Sequence, residues 1–258
     1  MSKLSQMERK TVLISGATAG IGRATAIRFG REHYNVIITG RRRELLAELE
    51  EELKRMGCRV VALHFDVRKR LDVFSAIESL PADMKNIDIL VNNAGLAVGL
   101  EHIDRGDTDD WERMIDTNIK GLLWLTRAVA PLMVERGSGH IINIASIAGK
   151  EVYENGNVYC ATKFAVDALS KSMRIDLLGN NIKVTNVAPG MVETEFSVVR
   201  FKGNLEKAAT PYKGLKPLTG DDIADVIYYC ATLPAHVNIN DVTVMPAAQA
   251  AATTIFRK

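Results

Sequence analysis

The most constraining feature of this chain is a buried-strand run, Thr11 to Ser15 (TVLIS), that passes directly into Gly16-Ala-Thr-Ala-Gly20-Ile-Gly22 and then into a helix-like segment ending near Glu32. A strand, a tight glycine turn and a helix in that order aim the helix N–H groups at one spot. Glycines let the backbone approach a pyrophosphate there. The spacing is GxxxGxG rather than GxGxxG, and glycine also serves tight turns for steric reasons alone. Gly16, Thr18, Ala19, Gly20, Ile21 and Gly22 are candidate cofactor contacts.

The same rhythm continues along the chain. Apolar runs at Val36–Thr39, Arg59–Leu63, Ile87–Val91, His140–Ile144, Lys183–Val187 and Asp241–Met245 alternate with longer stretches of helical periodicity, such as Glu44–Met56 with Leu45, Leu46, Leu49 and Leu53 on one face. Runs rich in Val and Ile without polar alternation suit a parallel sheet covered on both faces. The pattern predicts a doubly wound, Rossmann-type α/β fold: a mainly parallel sheet of seven strands with helices on both faces. No linker or repeat divides the 258 residues, so one domain is expected over 1–258, with residues 1–9 a flexible N-terminus. Residues 192–218 break the rhythm with two prolines, two glycines and several charges, and are expected to form a mobile substrate loop.

A formal net charge of +2 with 25% charged residues gives no support to a nucleic-acid or membrane-surface partner. No apolar run reaches the roughly 18 residues of a membrane span, and the polar start lacks a signal-peptide core. Cys58, Cys160 and Cys230 have neither disulfide nor zinc spacing, and the five histidines are scattered. A cytoplasmic setting and no metal site are expected.

The second strand run ends at Thr39-Gly40-Arg41-Arg42-Arg43, where NAD-preferring sites put a carboxylate for the ribose 2′-OH. Guanidinium groups suit a 2′-phosphate instead, and cations at a helix start are otherwise poorly placed. Arg41 and Arg42 therefore point to NADP. Tyr159 and Lys163 lie four residues apart, on one helical face. A free tyrosine is a poor base at neutral pH, but a nearby ammonium and an oxidised nicotinamide would favour its phenolate. Ser146 follows the His140–Ile144 strand at the carboxyl end, where it can donate to a substrate oxygen or simply cap a turn. Asn118 alone reads as a helix-surface amide.

Taken together, these residues resemble the short-chain dehydrogenase/reductase family. Gly16, Gly20 and Gly22 match its cofactor turn, Asn92-Asn93-Ala94-Gly95 its NNAG signature, and Asn118, Ser146, Tyr159 and Lys163 its catalytic tetrad in order. Asp66-Val67 matches its adenine-contacting pair and Pro189-Gly190 its turn after the sixth strand. The resemblance implies Tyr159 as general acid/base, Lys163 lowering its pKa and holding the nicotinamide ribose, and Ser146 polarising the carbonyl. Asn118 would hold a relay water, and Asn93, Pro189, Gly190, Val192 and Thr194 would also meet the cofactor.

Pro189–Phe196, Val199–Gly203 and Leu233–Asn240 further resemble the NADP-dependent 3-hydroxy acid dehydrogenases, whose first segment is slightly longer, with a gap here near Glu193. Implied substrates are serine, allo-threonine, 3-hydroxyisobutyrate and their 3-oxo acids or semialdehydes, with Arg200 and Lys202 as candidate carboxylate partners. A broad carbonyl reductase for neutral ketones, diketones or quinones, and a non-catalytic NADP-binding sensor, are the alternatives. The family also implies a homotetramer, with Ala161, Ala165 and Ala168 as a small-residue stripe on the Tyr159 helix.

Overall fold

A computed structural model describes residues 9–258; most of the expected N-terminal segment lies outside the described residues. Seven strands form one sheet: β1 (Thr11–Ile14), β2 (Asn35–Gly40), β3 (Val60–His64), β4 (Ile87–Asn92), β5 (Gly139–Ile144), β6 (Ile182–Pro189) and β7 (Asp241–Val244). Their order is β3-β2-β1-β4-β5-β6-β7. Every pairing is parallel, so the expected sheet is parallel throughout.

The helices are α1 (Gly20–Arg31), α2 (Arg43–Arg55), α3 (Arg70–Glu78), α4 (Thr108–Ile115), α5 (Leu122–Arg136), α6 (Asn157–Asp176), α7 (Phe196–Arg200), α8 (Leu205–Ala209) and α9 (Gly220–Thr232). Successive strand side chains point to opposite faces, and this alternation builds two cores. Val12, Ile14, Val36 and Ile38 pack with Phe29 of α1, Leu49 of α2 and Ile227 of α9. Leu13, Ile37 and Leu90 pack on the other face with Val73 of α3, Val129 of α5 and Val166 of α6. No described helix is long and apolar enough to cross a membrane.

Strand order reverses between β1 and β4, and a crevice opens at their carboxyl ends, where doubly wound sheets bind ligands. A chain of buried amides braces this point. Asn92 Nδ2 donates to Asn143 Oδ1 at 2.9 Å and to Thr126 Oγ1 at 2.9 Å, and Asn143 Nδ2 donates to Ser170 Oγ at 2.9 Å. Those bonds tie β4, β5, α5 and α6 together.

Two elements depart from the expected pattern. The backbone between α4 and α5 continues as a π turn over Asp116–Gly121. Residues 192–218 are not an unstructured loop: they fold as α7, α8 and a 3-10 turn at Thr210–Tyr212. Helices this short show no apolar period in sequence, because one turn and a half contains too few positions to repeat.

Candidate active site

The crevice is a cavity of about 590 Å³ running from the glycine turn, past the end of β5, to α7. Gly16 has φ +65°, a left-handed conformation that glycine adopts without strain. At Gly22 an added Cβ would lie 2.4 Å from both Asn93 Nδ2 and the Gly16 carbonyl oxygen, so a side chain there would force the turn apart. Asn93 Nδ2 clamps the turn by donating to the carbonyls of Ser15 at 2.8 Å and Gly16 at 3.2 Å. Thr18, Ala19, Gly20 and Ile21 line the cavity, whereas Gly22 supports it from behind.

Arg41 and Arg42 lie beside that turn, also in the cavity wall. Arg42 stands at the N-cap of α2, where its charge opposes the helix dipole. Its Nε and Nη2 donate to Thr18 Oγ1 at 3.2 and 3.1 Å, and its Nη1 donates to Glu195 at 2.7 Å. Arg41 is more exposed and stands 3.7 Å from Asp66. Burial alone would raise the Asp66 carboxyl, but hydrogen bonds from Arg68 and the charges of Arg68 and Arg41 carry it below the usual carboxylate range. Val67, Pro189, Gly190, Val192 and Thr194 complete this end of the wall. A narrow glycine cradle with two guanidinium groups beside it fits the pyrophosphate and 2′-phosphate of NADP.

Tyr159 and Lys163 project from the first turns of α6, and both are buried. Lys163 Nζ donates to the Ile144 carbonyl at 2.8 Å and lies 6.0 Å from the centroid of the Tyr159 ring. Burial pushes the Lys163 ammonium down to about 8. The protein's own groups hold the Tyr159 hydroxyl above the ordinary tyrosine range. Burial does this first and the Tyr153 hydroxyl adds to it, while Ser146 and Arg200 oppose both. In the protein by itself, desolvation outweighs every neighbouring cation.

Ser146 sits just past β5, half-buried, and lines the cavity. Its Oγ accepts from Ala148 N at 3.1 Å and donates to the Pro189 carbonyl at 3.4 Å, so the capping role and the cavity position coexist. Asn118 is not a surface amide but is 2% exposed. It lies in the π turn behind the cavity wall. Its Oδ1 accepts from Leu96 N at 2.8 Å; its Nδ2 donates to Leu96 O at 2.8 Å and Thr162 Oγ1 at 3.0 Å. Such widened turns recur at functional sites, because the i→i+5 pattern releases a carbonyl from the helical ladder.

Of the two candidate cations, only Arg200 reaches the cavity. Lys202 is spent on Asp110 at 2.6 Å and Asp107 at 3.5 Å, which fastens the segment after α7 to the start of α4. The Arg200 guanidinium stands 5.3 Å from the ring centroids of both Tyr159 and Tyr153. Its Nη2 donates to the Tyr153 hydroxyl at 2.7 Å, and its Nε is buried without a partner among the described residues. Sequence reasoning missed Tyr153, Glu195 and Arg68. Tyr153 and Arg200 are 47 positions apart, and no local signal joins them. The Asp66–Arg68 pair, two residues apart, was the one findable contact.

Residues 10–204 match the family described as short chain dehydrogenase. This chain belongs to that family. This short-chain dehydrogenase is 52% identical to the NADP-dependent 3-hydroxy acid dehydrogenase YdfG of Salmonella typhi, over 92% of this chain and 95% of that protein. It is 47% identical to sulfoacetaldehyde reductase 2 of Chromohalobacter salexigens, over 93% and 95% of the two chains. Among solved structures, the closed form of serine dehydrogenase complexed with NADP+ matches with a TM-score of 0.91 at 48% identity, covering 96% of this chain and 99% of that one.

Proposed function

We propose that this short-chain dehydrogenase interconverts a short 3-hydroxy acid and its 3-oxo acid or semialdehyde with NADP(H). The observation that carries the acid is Arg200: a guanidinium drawn into the reaction cavity between two tyrosine rings, with a buried Nε that has no acceptor. Drawing a cation out of water is costly unless an anion meets it, and a substrate carboxylate supplies that charge at hydrogen-bonding range. The names of the relatives point the same way, since 3-hydroxy acids and sulfoacetaldehyde all carry an acid group beside the reacting oxygen.

The chemistry supplied by bound NADP(H) is hydride transfer at the carbon bearing that oxygen. Gly16, Gly20 and Gly22 make room for its pyrophosphate, and Arg41 and Arg42 take the 2′-phosphate. Tyr159 gives the substrate oxygen a proton during reduction and takes it back during oxidation. Ser146 donates a hydrogen bond to the same oxygen as charge develops there. Lys163 would hold the nicotinamide ribose, and its charge, with that of an oxidised nicotinamide, would lower the cost of the Tyr159 phenolate. Asn118, whose side-chain amide is engaged with Leu96 and Thr162, would hold the relaying water through its main chain. The buried, assembled Tyr–Lys–Ser group counts against a non-catalytic sensor, which has no need of it.

The protein is proposed to work in a reducing cytoplasm, where its three buried cysteines stay free. A homotetramer would cover the face of α6 bearing Ala161, Ala168, Phe164 and Ile175, all exposed in the single chain. Arg200→Ala tests the substrate reading. With malonic semialdehyde, kcat/KM should fall about 100-fold, the loss of a charge-assisted pair of about 2–3 kcal/mol, and a neutral diketone should change far less. An equal effect on both would remove the carboxylate role and favour a broad carbonyl reductase.

A further inference from the structure

Arginine is a long side chain with many rotamers, so a guanidinium recognises an acid group well only when something else aims it. Arg200 ends α7, and its carbonyl accepts from Gly99 N at 3.1 Å, which holds the backbone in place. Among the described residues the side chain has one hydrogen-bond partner, the Tyr153 hydroxyl at 2.7 Å. Tyr153 is itself firmly seated. Its ring lies so close on Gly156 that an added Cβ there would come within 2.3 Å of it, and Asn155 turns the chain with φ +61°. It packs in the same small core as Tyr159, Cys160 and Leu96.

We propose that Tyr153 is a positioning residue for substrate selection: its hydroxyl holds the Arg200 guanidinium against the Tyr159 ring, where an acid group of the substrate is recognised. Without that hydroxyl the guanidinium has no hydrogen bond to keep it there. Its unmet Nε then favours withdrawal, because a buried donor without an acceptor is costly. Tyr153 thereby acts selectively on acidic substrates through Arg200, while its effect on the Tyr159 hydroxyl is shared by acidic and neutral substrates and cancels in their ratio. This rests on the reading of Arg200 given above, and the test separates the two.

The test is a double-mutant cycle of Tyr153→Phe and Arg200→Ala, which keeps the ring of residue 153 and removes only its hydroxyl. The readout is the ratio of kcat/KM for malonic semialdehyde to kcat/KM for a neutral diketone, with NADPH binding by fluorescence as the check of folding. Tyr153→Phe should lower the ratio about tenfold, chiefly through KM of the acid, and should add nothing further in the Arg200→Ala background. If Arg200→Ala lowers the ratio and Tyr153→Phe does not, Tyr153 has no positioning role while the Arg200 reading stands. An equal loss on both substrates in Tyr153→Phe would mean a structural hydroxyl, and overturns the proposal. An unchanged ratio in Arg200→Ala overturns both.

Discussion

At the scale of single residues, the proposed chemistry depends on a tyrosine in an environment that resists its ionisation. Tyr159 is buried, its hydroxyl is held above the ordinary range, and the Lys163 ammonium beside it donates to the Ile144 carbonyl. A phenol in that setting keeps its proton, so it stands protonated for reduction, and the charge of an oxidised nicotinamide would favour its phenolate for the reverse direction. Tyr159→Phe keeps the ring packing against Phe196, 5.7 Å between centroids, and removes the transferable proton. It should therefore bind NADPH nearly as the wild type does and lose turnover by at least 1000-fold; near-normal turnover would end the assignment. In sequence, Tyr159 and Lys163 were a weak pair that gained meaning from Ser146 and the glycine turn. Tyr153 had no such context, since its partner is contributed by a distant helix.

At the scale of elements, the site is held by strands and helices that the apolar pattern located to within one or two residues. Val36–Thr39 became Asn35–Gly40, and His140–Ile144 became Gly139–Ile144. The π turn at Asp116–Gly121 could not be read, because one extra residue per turn hardly disturbs an apolar period. Nor could the burial of His140 in β5, where Nε2 meets Thr185 Oγ1 of β6 at 2.8 Å. Burial, helped by the charge of Lys183, pushes that imidazole down to about 3. An unfolded histidine titrates near 6.5, so below that pH the unfolded chain binds a proton that the folded chain refuses. Stability is lost as pH falls from about 6.5 toward 3, by about 2 kcal/mol at pH 5. His140→Gln keeps a partner for Thr185 without a titrating group, so its Tm should fall less than that of the wild type between pH 7 and 5. Parallel declines in calorimetry would show that other groups set the acid sensitivity.

At the scale of the whole molecule, seven parallel strands reversing order between β1 and β4 bring the glycine turn, Ser146, Tyr159 and Arg200 to one cavity. That convergence was legible because the strands are fully covered and so nearly uniformly apolar. The end where the substrate's acid group would lie was not legible, because it is built from α7 and the Tyr153 segment, neither with a repeating pattern. The cofactor end predicts phosphate recognition through Arg41 and Arg42, and the substrate end predicts an acid held by Arg200. Both ends are tested by one measurement on the unmodified protein. NADPH and NADH consumption are followed with malonic semialdehyde and a neutral diketone, alongside NADP+ reduction with serine and 3-hydroxyisobutyrate. The account predicts turnover with NADPH well above NADH, and kcat/KM for the acidic carbonyl at least tenfold above the neutral one. Equal or faster reduction of the diketone, with no reaction of either hydroxy acid, would contradict it.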